Sequence, residues 1–439
     1  MKKKLLAVGL SALMMMSMAA CDTGNGKQSS GDEEQITLRM AWWGSQTRHD
    51  RTVQVIEMYE KEHPNVKIEY EFFSFDDYFT KLKTLVASDN VWDVFQLGGN
   101  FPEYMDKIEF LNSYIDSGIV DHSKISDAYL KITQDTEGNQ IGLSNGLNTY
   151  GIAYDVDMFK AAGVPTPTEN WTWDDFANAA RKIKAATGHY GSSGFTSSEF
   201  IAGCSTYVAQ QGAVGEYGFF NLELTGMGFK DPQMLTPYIQ MRADLIKEGA
   251  SPDAGAEMEI TNIENDFLVT GEAGMTWVAV NQFPTIYDVC AQEGRTLALA
   301  TVPRYKADGP AGTVIMSSQM LCVSKDSKHK EEAAKFISWF QNSVDCNNVL
   351  QGERGIPINS DVLAALQQNA TEGQKLMYNY VDLVGSFPTP EKINVLSPAG
   401  QDQVVDQYRN FVQQVATGSI TAKEAAQKTY DAAQAIFSK

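Results

Sequence analysis

The sequence predicts an α/β fold built on a parallel sheet, and two patterns near its N-terminus carry this prediction. Apolar side chains alternate with other residues over Ile36–Trp43 and Val66–Phe72, which is the period of a strand, and the apolar segment Val91–Leu97 is interpreted as the third strand. Between these segments apolar residues recur at helical spacing, and the first such helix ends before Pro64. The order strand–helix–strand–helix–strand indicates parallel strands with right-handed crossovers. A length of 439 residues exceeds one ordinary core, so we expect two domains, which can be interleaved.

Residues 1–20 are typical of an export signal and are excluded from the fold. Lysines at positions 2 to 4 precede the apolar stretch Leu5–Ala20. The segment ends in MAAC, which resembles a bacterial lipobox, with methionine where leucine is usual. We therefore expect a lipidated Cys21, a flexible tether over residues 21–35, and a globular part at the outer face of the cytoplasmic membrane, on the cell surface or in the periplasm. The alternative is an ordinary signal peptide with a chance cysteine.

Composition limits the partners of the chain. It is 43% hydrophobic and 21% charged, as in soluble globular proteins, and its net charge of −20 argues against binding to nucleic acid. No later stretch is apolar enough to span a bilayer, so we expect membrane contact through the lipid alone. The scattered histidines and the absence of CxxC spacing predict no metal and no cofactor. Disulfides and buried thiols both stay open for Cys204, Cys290, Cys322 and Cys346.

The stretch AWWGSQTRHD, residues 41–50, concentrates binding chemistry at the junction between the first strand and the first helix. Ligands of open α/β sheets sit at the carboxyl ends of strands, so we interpret this turn as one wall of a carbohydrate-binding cleft. The strand period sets Trp42 in register with Leu38 and Met40, which predicts that Trp42 packs in the core. Trp43 points to the opposite side and is the better candidate for the cleft.

Later segments extend the same organisation. Asn145–Tyr154 is predicted to be a strand that crosses from one lobe into a second, and Arg354–Ile358 a proline-containing segment that crosses again. Thr172 and Thr421 each open a helix with an acidic residue three positions on, which is a capping box. Phe267–Val280 is interpreted as a helix end, a glycine turn and a buried strand.

Spaced motifs cover nearly the whole mature chain. They are TLRMAWWG, EKEHPNVKIE, LKTLVASDNVWDVFQL, IAYDVDMFKAAGVPTPTENWTWDDFANAARKI, FLVTGEAGMTW, LCVSKDSKHKEEAAKFISWF and ERGIPINSDV. In this order they resemble the extracellular solute-binding proteins of carbohydrate ABC importers, the maltodextrin-binding-like family 1. Trp92 departs from the family, which usually has proline there. The WWG-x-x-x-R start is most similar to members associated with plant cell-wall oligosaccharides.

The resemblance implies a two-lobed periplasmic-binding-protein-like fold of type II, with the ligand cleft between lobes joined by crossing hinge segments. Lobe one would hold residues 36–147 and 314–352, and lobe two residues 148–313 and 353–439. It also implies a protein, expected to be a monomer, that binds a sugar or oligosaccharide and delivers it to ABC transporter permease subunits.

The candidate ligand-binding residues follow predicted strands, lie at the crossings, or follow the glycine turn. They are Trp43, Ser45, Arg48, Gln96, Asn145, Asn148, Trp277, Asn281 and Arg354. Aromatic rings cover the apolar faces of a pyranose, and planar polar side chains satisfy its hydroxyls. Two guanidinium groups near one cleft bind a carboxylate bidentately, which predicts an anionic sugar such as a uronate.

Several candidates have a competing structural interpretation. Arg48 can pair with Asp50 or Glu57 in solvent, the two asparagines at the crossing can satisfy hinge backbone, and Trp277 can belong to the core. A glycoside hydrolase is the competing function, since 55 acidic residues leave room for the two carboxylates it needs. The sequence contains no H-E-x-x-H and no Walker A motif, and we expect a binding protein rather than an enzyme. A surface adhesin is the further alternative.

Overall fold

The computed structural model describes residues 35–437 except for 136, 194–198, 213–218, 222–224, 261, 388–397 and 399. The predicted signal peptide, Cys21 and the tether up to residue 34 lie outside the described residues. The strands in these ranges are β1 Ile36–Trp43, β2 Val66–Phe73, β3 Val94–Leu97, β4 Ile108–Glu109, β5 Leu143–Ser144, β6 Leu147–Asn148, β7 Tyr150–Asp155, β8 Met275–Ala279, β9 Leu297–Ala300, β10 Met316–Ser317 and β11 Met320–Ser324.

The helices of the described ranges alternate with these strands and then dominate the C-terminal part. They are α1 Gln46–Glu62, α2 Phe75–Val86, α3 Asn112–Asp116, α4 Asp127–Lys131, α5 Val156–Ala161, α6 Trp173–Thr187, α7 Thr206–Ala209, α8 Thr236–Lys247, α9 Ala254–Glu257, α10 Phe283–Gln292, α11 Lys330–Asn342, α12 Val344–Leu350, α13 Ser360–Gln368, α14 Glu372–Gly385, α15 Gln401–Ala416 and α16 Ala422–Phe437. Among them, none is long and apolar enough to cross a membrane.

The larger sheet has the strand order β2-β1-β3-β11-β4, with β5 paired to β11. Strands β1, β2 and β3 are parallel, as the strand–helix order predicted. Strand β11 comes from much later in the chain and lies antiparallel to β3. The carboxyl ends of β1 and β3 therefore meet at one edge of this sheet, and the turn after β1 lies there.

The two faces of β1 are covered by different helices, which explains its alternation. Leu38, Met40 and Trp42 are fully buried on the side of α1. Ala41 faces the other side, where it packs with Tyr78 of α2. The prediction that Trp42 belongs to the core is confirmed.

The smaller sheet has the order β8-β7-β9, with both pairings antiparallel. Its two faces are covered by different apolar clusters, so that Trp277 and Val278, adjacent on β8, are both buried. The predicted crossing strand Asn145–Tyr154 is interrupted: β6 pairs with β10, and β7 then enters the smaller sheet.

The two crossing segments contact each other at Gly146 and Gly355. Leu147 forms an isolated bridge with Ile356, and its amide donates to the Ile356 carbonyl at 2.7 Å. A Cβ added at Gly146 would lie 2.6 Å from the backbone of Gly355, and a Cβ at Gly355 would lie 2.6 Å from the carbonyl oxygen of Leu147. The backbones approach this closely only because both positions lack a side chain.

Two local predictions are confirmed and one alternative is resolved. Thr172 and Thr421 cap α6 and α16 through reciprocal hydrogen bonds with Asp175 and Glu424. Cys204, Cys290, Cys322 and Cys346 are buried free thiols. The predicted strand Val91–Leu97 is regular only over β3, Val94–Leu97. The carboxylate of the preceding Asp93 accepts hydrogen bonds from the Arg39 amide and the Ser327 hydroxyl.

Candidate ligand-binding site

The turn between β1 and α1 is shaped by Ser45 and by the absence of a side chain at Gly44. Ser45 is the N-cap of α1, and its hydroxyl accepts the Arg48 amide at 3.4 Å. A Cβ at Gly44 would lie 2.3 Å from the Arg48 Cδ, so glycine lets the arginine stem fold back over the turn. The Ser45 hydroxyl, predicted as a ligand contact, thus has a structural partner at the helix start.

Arg48 forms a buried ion pair with Glu353, which lies far from it in the sequence. Its Nε donates to both carboxylate oxygens of Glu353, at 3.0 and 2.7 Å, and its Nη1 donates to the Trp43 carbonyl at 3.1 Å. Arg48 is 7% exposed. The interpretation of an exposed pair within α1 is wrong, and Asp50 accepts from Gln46 instead. The pair ties the β1 turn to the segment that follows α12.

Arg354, the neighbour of Glu353, is buried beneath the same turn. Its Nη1 donates to Gln96 Oε1 at 2.5 Å and its Nη2 to Thr52 Oγ1 at 2.8 Å. Its guanidinium also lies 5.5 Å from the centroid of the Phe340 ring. Gln96 in turn donates to the Trp43 carbonyl at 3.4 Å. Three predicted site residues, Arg48, Gln96 and Arg354, are therefore brought together around the end of β1.

The charges of this cluster act on one another. Burial raises the pKa of Glu353, but Arg48, Arg354 and Arg51 outweigh that effect, and the pKa lies below its ordinary value. Burial, together with the neighbouring Arg48, lowers the pKa of Arg354 to about 9, while Glu353 acts in the opposite direction. Arg51 also donates to the Leu350 carbonyl at 2.8 Å. The end of α12 is thus held against α1 by three cations and one carboxylate.

The predicted site residues Asn148 and Asn281 form a second hydrogen-bonded group, which contacts the backbone of Glu353. Asn148 Nδ2 donates to Asn281 Oδ1 at 2.8 Å, and the Asn281 amide donates back to Asn148 Oδ1 at 3.1 Å. Asn281 Nδ2 donates to the Glu353 carbonyl at 2.9 Å. Asn145 is separate, since its Oδ1 accepts from Gln341 of α11 at 2.7 Å. Asn148 thus accepts a backbone amide, as its competing structural interpretation proposed, but that amide belongs to Asn281 after β8 and not to the crossing segments.

Trp43 supplies a part-exposed aromatic surface beside the cluster. Its half-buried ring meets Phe75 edge-on, with 5.5 Å between centroids. Phe75, the first residue of α2, is 50% exposed. Tyr78 and Phe79 support the indole from the inner side, at 5.1 and 5.2 Å. The two outer rings lie near the carboxyl end of β1, the position at which open α/β sheets bind their ligands.

Trp277 does not share that exposure, and the prediction that it faces an open cleft is wrong. It is 1% exposed, pairs with Ile152 in the smaller sheet, and stacks on Trp173 at 5.8 Å between centroids. Phe176 packs against it at 5.6 Å. The physical reason is that the indole lies within β8, on the covered face of the sheet, and not in the glycine turn before it.

Sequence reasoning missed Glu353, Thr52 and Phe75. Glu353 had a signal, since it opens the ERGIPI motif directly before the predicted Arg354. Thr52 also hydrogen-bonds the Arg48 carbonyl at 2.7 Å, as a threonine on a helix often does, and nothing in the sequence marks its second contact with Arg354. Phe75 looks like an ordinary apolar helix residue in the sequence.

Residues 142–146 read G-x-S-x-G, the pattern of a hydrolase nucleophile turn. Ser144 is fully buried in β5, where its hydroxyl hydrogen-bonds the Gly146 carbonyl and Ser317 Oγ. It is not at an exposed strand-to-helix turn, so the context that the motif requires is missing. Within the described ranges, no group of three His, Cys, Asp or Glu side chains could hold a metal ion.

Comparisons with known proteins agree with this architecture. The model of the family described as bacterial extracellular solute-binding protein matches residues 44–344. The arabinooligosaccharide-binding protein of Bacillus subtilis (strain 168) is 23% identical over 374 residues, which cover 82% of each chain. An extracellular solute-binding protein family 1 structure from Alicyclobacillus acidocaldarius is 26% identical, with a TM-score of 0.66 over 93% of this chain and 100% of that one.

A third comparison gives a closer superposition at lower identity. The periplasmic oligogalacturonide binding protein of Yersinia enterocolitica, solved with saturated digalacturonic acid, has a TM-score of 0.80 at 20% identity, over 92% of this chain and 99% of that one. The fold is that of the type II periplasmic solute-binding proteins, two-lobed and α/β, as the sequence predicted. The chain belongs to the family of bacterial extracellular solute-binding proteins, because the family model matches more than half of its residues. The matched range includes most of the turn after β1.

Proposed function

We propose that the mature protein captures a sugar or oligosaccharide outside the cytoplasmic membrane and delivers it to the permease of an ABC importer. In this proposal the lipid on Cys21 is its only membrane attachment, and it acts as a monomer without a cofactor and without catalysis. The lobes of residues 36–147 with 314–352 and of residues 148–313 with 353–439 close over the ligand. The contact of Leu147 with Ile356 supports a hinge at the crossings.

The observation that carries the proposal is the part-exposed pair of Trp43 and Phe75 at the carboxyl end of β1. A ring that covers about 60 Å² of a pyranose face contributes about 1.5 kcal/mol at about 25 cal/mol/Å². A micromolar dissociation constant needs about 8 kcal/mol, so stacking is a minority of the binding free energy. Hydrogen bonds to hydroxyls, about 1 kcal/mol net each, and lobe closure supply the remainder.

The named relatives support a saccharide as the ligand class. Two of them carry an arabino-oligosaccharide and an oligogalacturonide in their names, and a third relative, the multiple sugar-binding protein of Streptococcus mutans, is 28% identical over 192 residues, 42% of this chain. A plant cell-wall oligosaccharide is the specific expectation. The uronate hypothesis assumed that Arg48 and Arg354 are free cations, whereas their guanidinium groups bond Glu353, Gln96 and Thr52 in this structure.

A thermal-shift screen of the mature protein against neutral and acidic mono- and oligosaccharides tests the proposal. A captured ligand raises the melting temperature in a saturable way, because it binds the folded state alone. At a ligand concentration near the wild-type dissociation constant, Trp43→Ala is expected to abolish most of that shift, because the loss of one stacking face leaves little of the variant bound. Trp339→Ala is the matched control, since Trp339 is also half-buried but lies on α11 and donates to Glu62. Equal loss in both variants, or no shift with any saccharide, would contradict the proposal.

Product analysis separates capture from hydrolysis. Oligosaccharides incubated with the protein are expected to keep their chain length, whereas a glycoside hydrolase would shorten them. An adhesin would bind intact polysaccharide and show no saturable stabilisation by short soluble fragments. Either result would replace import as the function.

A further inference from the structure

Of the two arginines predicted to select the charge of the ligand, Arg48 is the more exposed, at 7% against 1% for Arg354. The Arg48 guanidinium is already bound to a carboxylate. Both Glu353 oxygens accept from Arg48 Nε, and the Trp43 carbonyl accepts from Nη1. The two side chains keep 8% and 10% of their surface exposed. A ligand that stacks on Trp43 would therefore meet a neutralised pair and not a free cation.

Arg354 offers no free cation either. It is 1% exposed, its two terminal nitrogens donate to Gln96 and Thr52, and it lies over the Phe340 ring. Arg51, on the outer side, donates to the Leu350 carbonyl. These three cations hold the segment after α12 in place, and Glu353 is the anion at their centre.

We propose that Glu353 is a specificity-determining residue, an internal carboxylate that occupies the Arg48 guanidinium and makes the site select neutral over uronate-bearing sugars. This inference rests on the proposed saccharide function and deepens it. Two free arginines would predict an anionic ligand, whereas this inference predicts a neutral one. A uronate carboxylate that reached Arg48 would share a nearly buried place with Glu353, and two carboxylates in one such place repel each other.

A neutral sugar escapes that penalty. Its hydroxyls can donate to a carboxylate oxygen of Glu353 while the ion pair stays intact. The backbone beneath is fixed independently of the side chain, because the Glu353 carbonyl accepts from Asn281 at 2.9 Å. The substitution Glu353→Gln therefore removes the charge and leaves the segment in position, with Arg48 free to bind an added carboxylate.

The test uses sugar pairs that differ only in a carboxylate, measured by calorimetry. The probes are α-1,4-galactobiose with α-1,4-digalacturonate, and cellobiose with cellobiouronic acid. For the pair that binds, wild type is expected to favour the neutral member, and Glu353→Gln to shift the ratio of dissociation constants toward the uronate by about tenfold or more. Salt should weaken the uronate complex of the variant, since it depends on an ion pair.

Two further variants keep the test decisive. The double variant Arg48→Gln with Glu353→Gln removes both the repulsion by Glu353 and the attraction by Arg48, so its ratio of dissociation constants should lie between those of wild type and Glu353→Gln. It serves if the single variant is too unstable to purify, because a wild-type ratio in the double variant would overturn the role of Glu353. Glu248→Gln makes the same change in the exposed pair with Arg181 and should leave the ratio as in wild type.

The outcomes separate the inference from the function beneath it. A wild type that prefers the uronate, or a Glu353→Gln variant that weakens both members of a pair equally, would overturn the role of Glu353 while sugar binding stands. If no saccharide of the wider screen bound the folded wild type, the saccharide function would fail, and the inference with it.

Discussion

Trp43 and Trp277 both lie in strands next to glycine turns, yet the fold uses the two rings in different ways. Trp43 is the last residue of β1, so nothing continues over it, and its ring stays half-buried against Phe75. Trp277 is the middle residue of β8, paired with Ile152 and stacked on Trp173. The difference teaches that in this fold a ring at the end of a parallel strand stays partly exposed, whereas a ring in the middle of a strand covered on both faces belongs to the core.

The largest effect that we expect comes from Trp277→Ala. Removing a fully buried indole leaves a cavity against Trp173 and Phe176, so the free energy of unfolding should fall by about 3–5 kcal/mol. Urea unfolding followed by circular dichroism measures it. A loss below about 1.5 kcal/mol would mean that the site relaxes or that the ring is not core, and would erase the contrast with Trp43.

The ion pair that anchors the Trp43 turn should give the next largest effect. Arg48→Gln leaves the nearly buried Glu353 carboxylate without its hydrogen-bonded cation, although Arg354 and Arg51 still lie near it, which should cost about 3 kcal/mol of unfolding free energy. Adding Glu353→Gln should recover part of this loss. Arg181→Gln, in the exposed pair with Glu248, should cost less than about 1 kcal/mol. Additive losses in the double variant would show that the two side chains are not coupled in solution.

Trp43→Ala should lower stability less than Trp277→Ala does, and it should act mainly on ligand affinity. Because its ring is half-exposed, its removal should cost about 1–2 kcal/mol of stability, less than Trp277→Ala. Ligand affinity, in contrast, should fall by about tenfold, the equivalent of one lost stacking face. Calorimetry with a saccharide found in the screen measures the affinity. An unchanged dissociation constant would place the ligand elsewhere than on this ring.

The sequence predicted the parallel strands and the fate of Trp42 because a period of two is a local property of β1. It could not predict Trp277 from the same period, since both faces of β8 are covered and no polar face marks the outside. The candidate residues Arg48, Gln96, Asn148, Asn281 and Arg354 were found because they lie at strand ends and crossings. Their mutual contacts could not be predicted, since they join positions as far apart as Arg48 and Glu353.

The smallest effect that we expect is a difference between the two regions in how their stability responds to acid. His49, which follows Arg48 on α1, accepts the Trp42 indole N–H at Nδ1 over 3.1 Å and stacks on Phe72 at 4.2 Å. Burial lowers the pKa of His49, and Arg48 and Arg354 lower it further, while Glu353 and Asp50 act in the opposite direction. A protonated Nδ1 could not accept the indole, which agrees with the lowered pKa.

A pKa that is lower in the folded than in the unfolded state gives stability that is full above the unfolded value of about 6.5 and is lost as the pH falls toward the folded value. The free energy of unfolding of wild type should therefore decline on going below about pH 6.5, by less than about 1.4 kcal/mol per pH unit for this one group. His49→Asn keeps an oxygen acceptor near the indole but does not titrate, so its decline should be shallower. His189→Asn, at an exposed position, is the control and should keep the wild-type slope. Equal slopes in all three proteins would show that the β1 turn, like the apolar surroundings of Trp277, is indifferent to pH in this range.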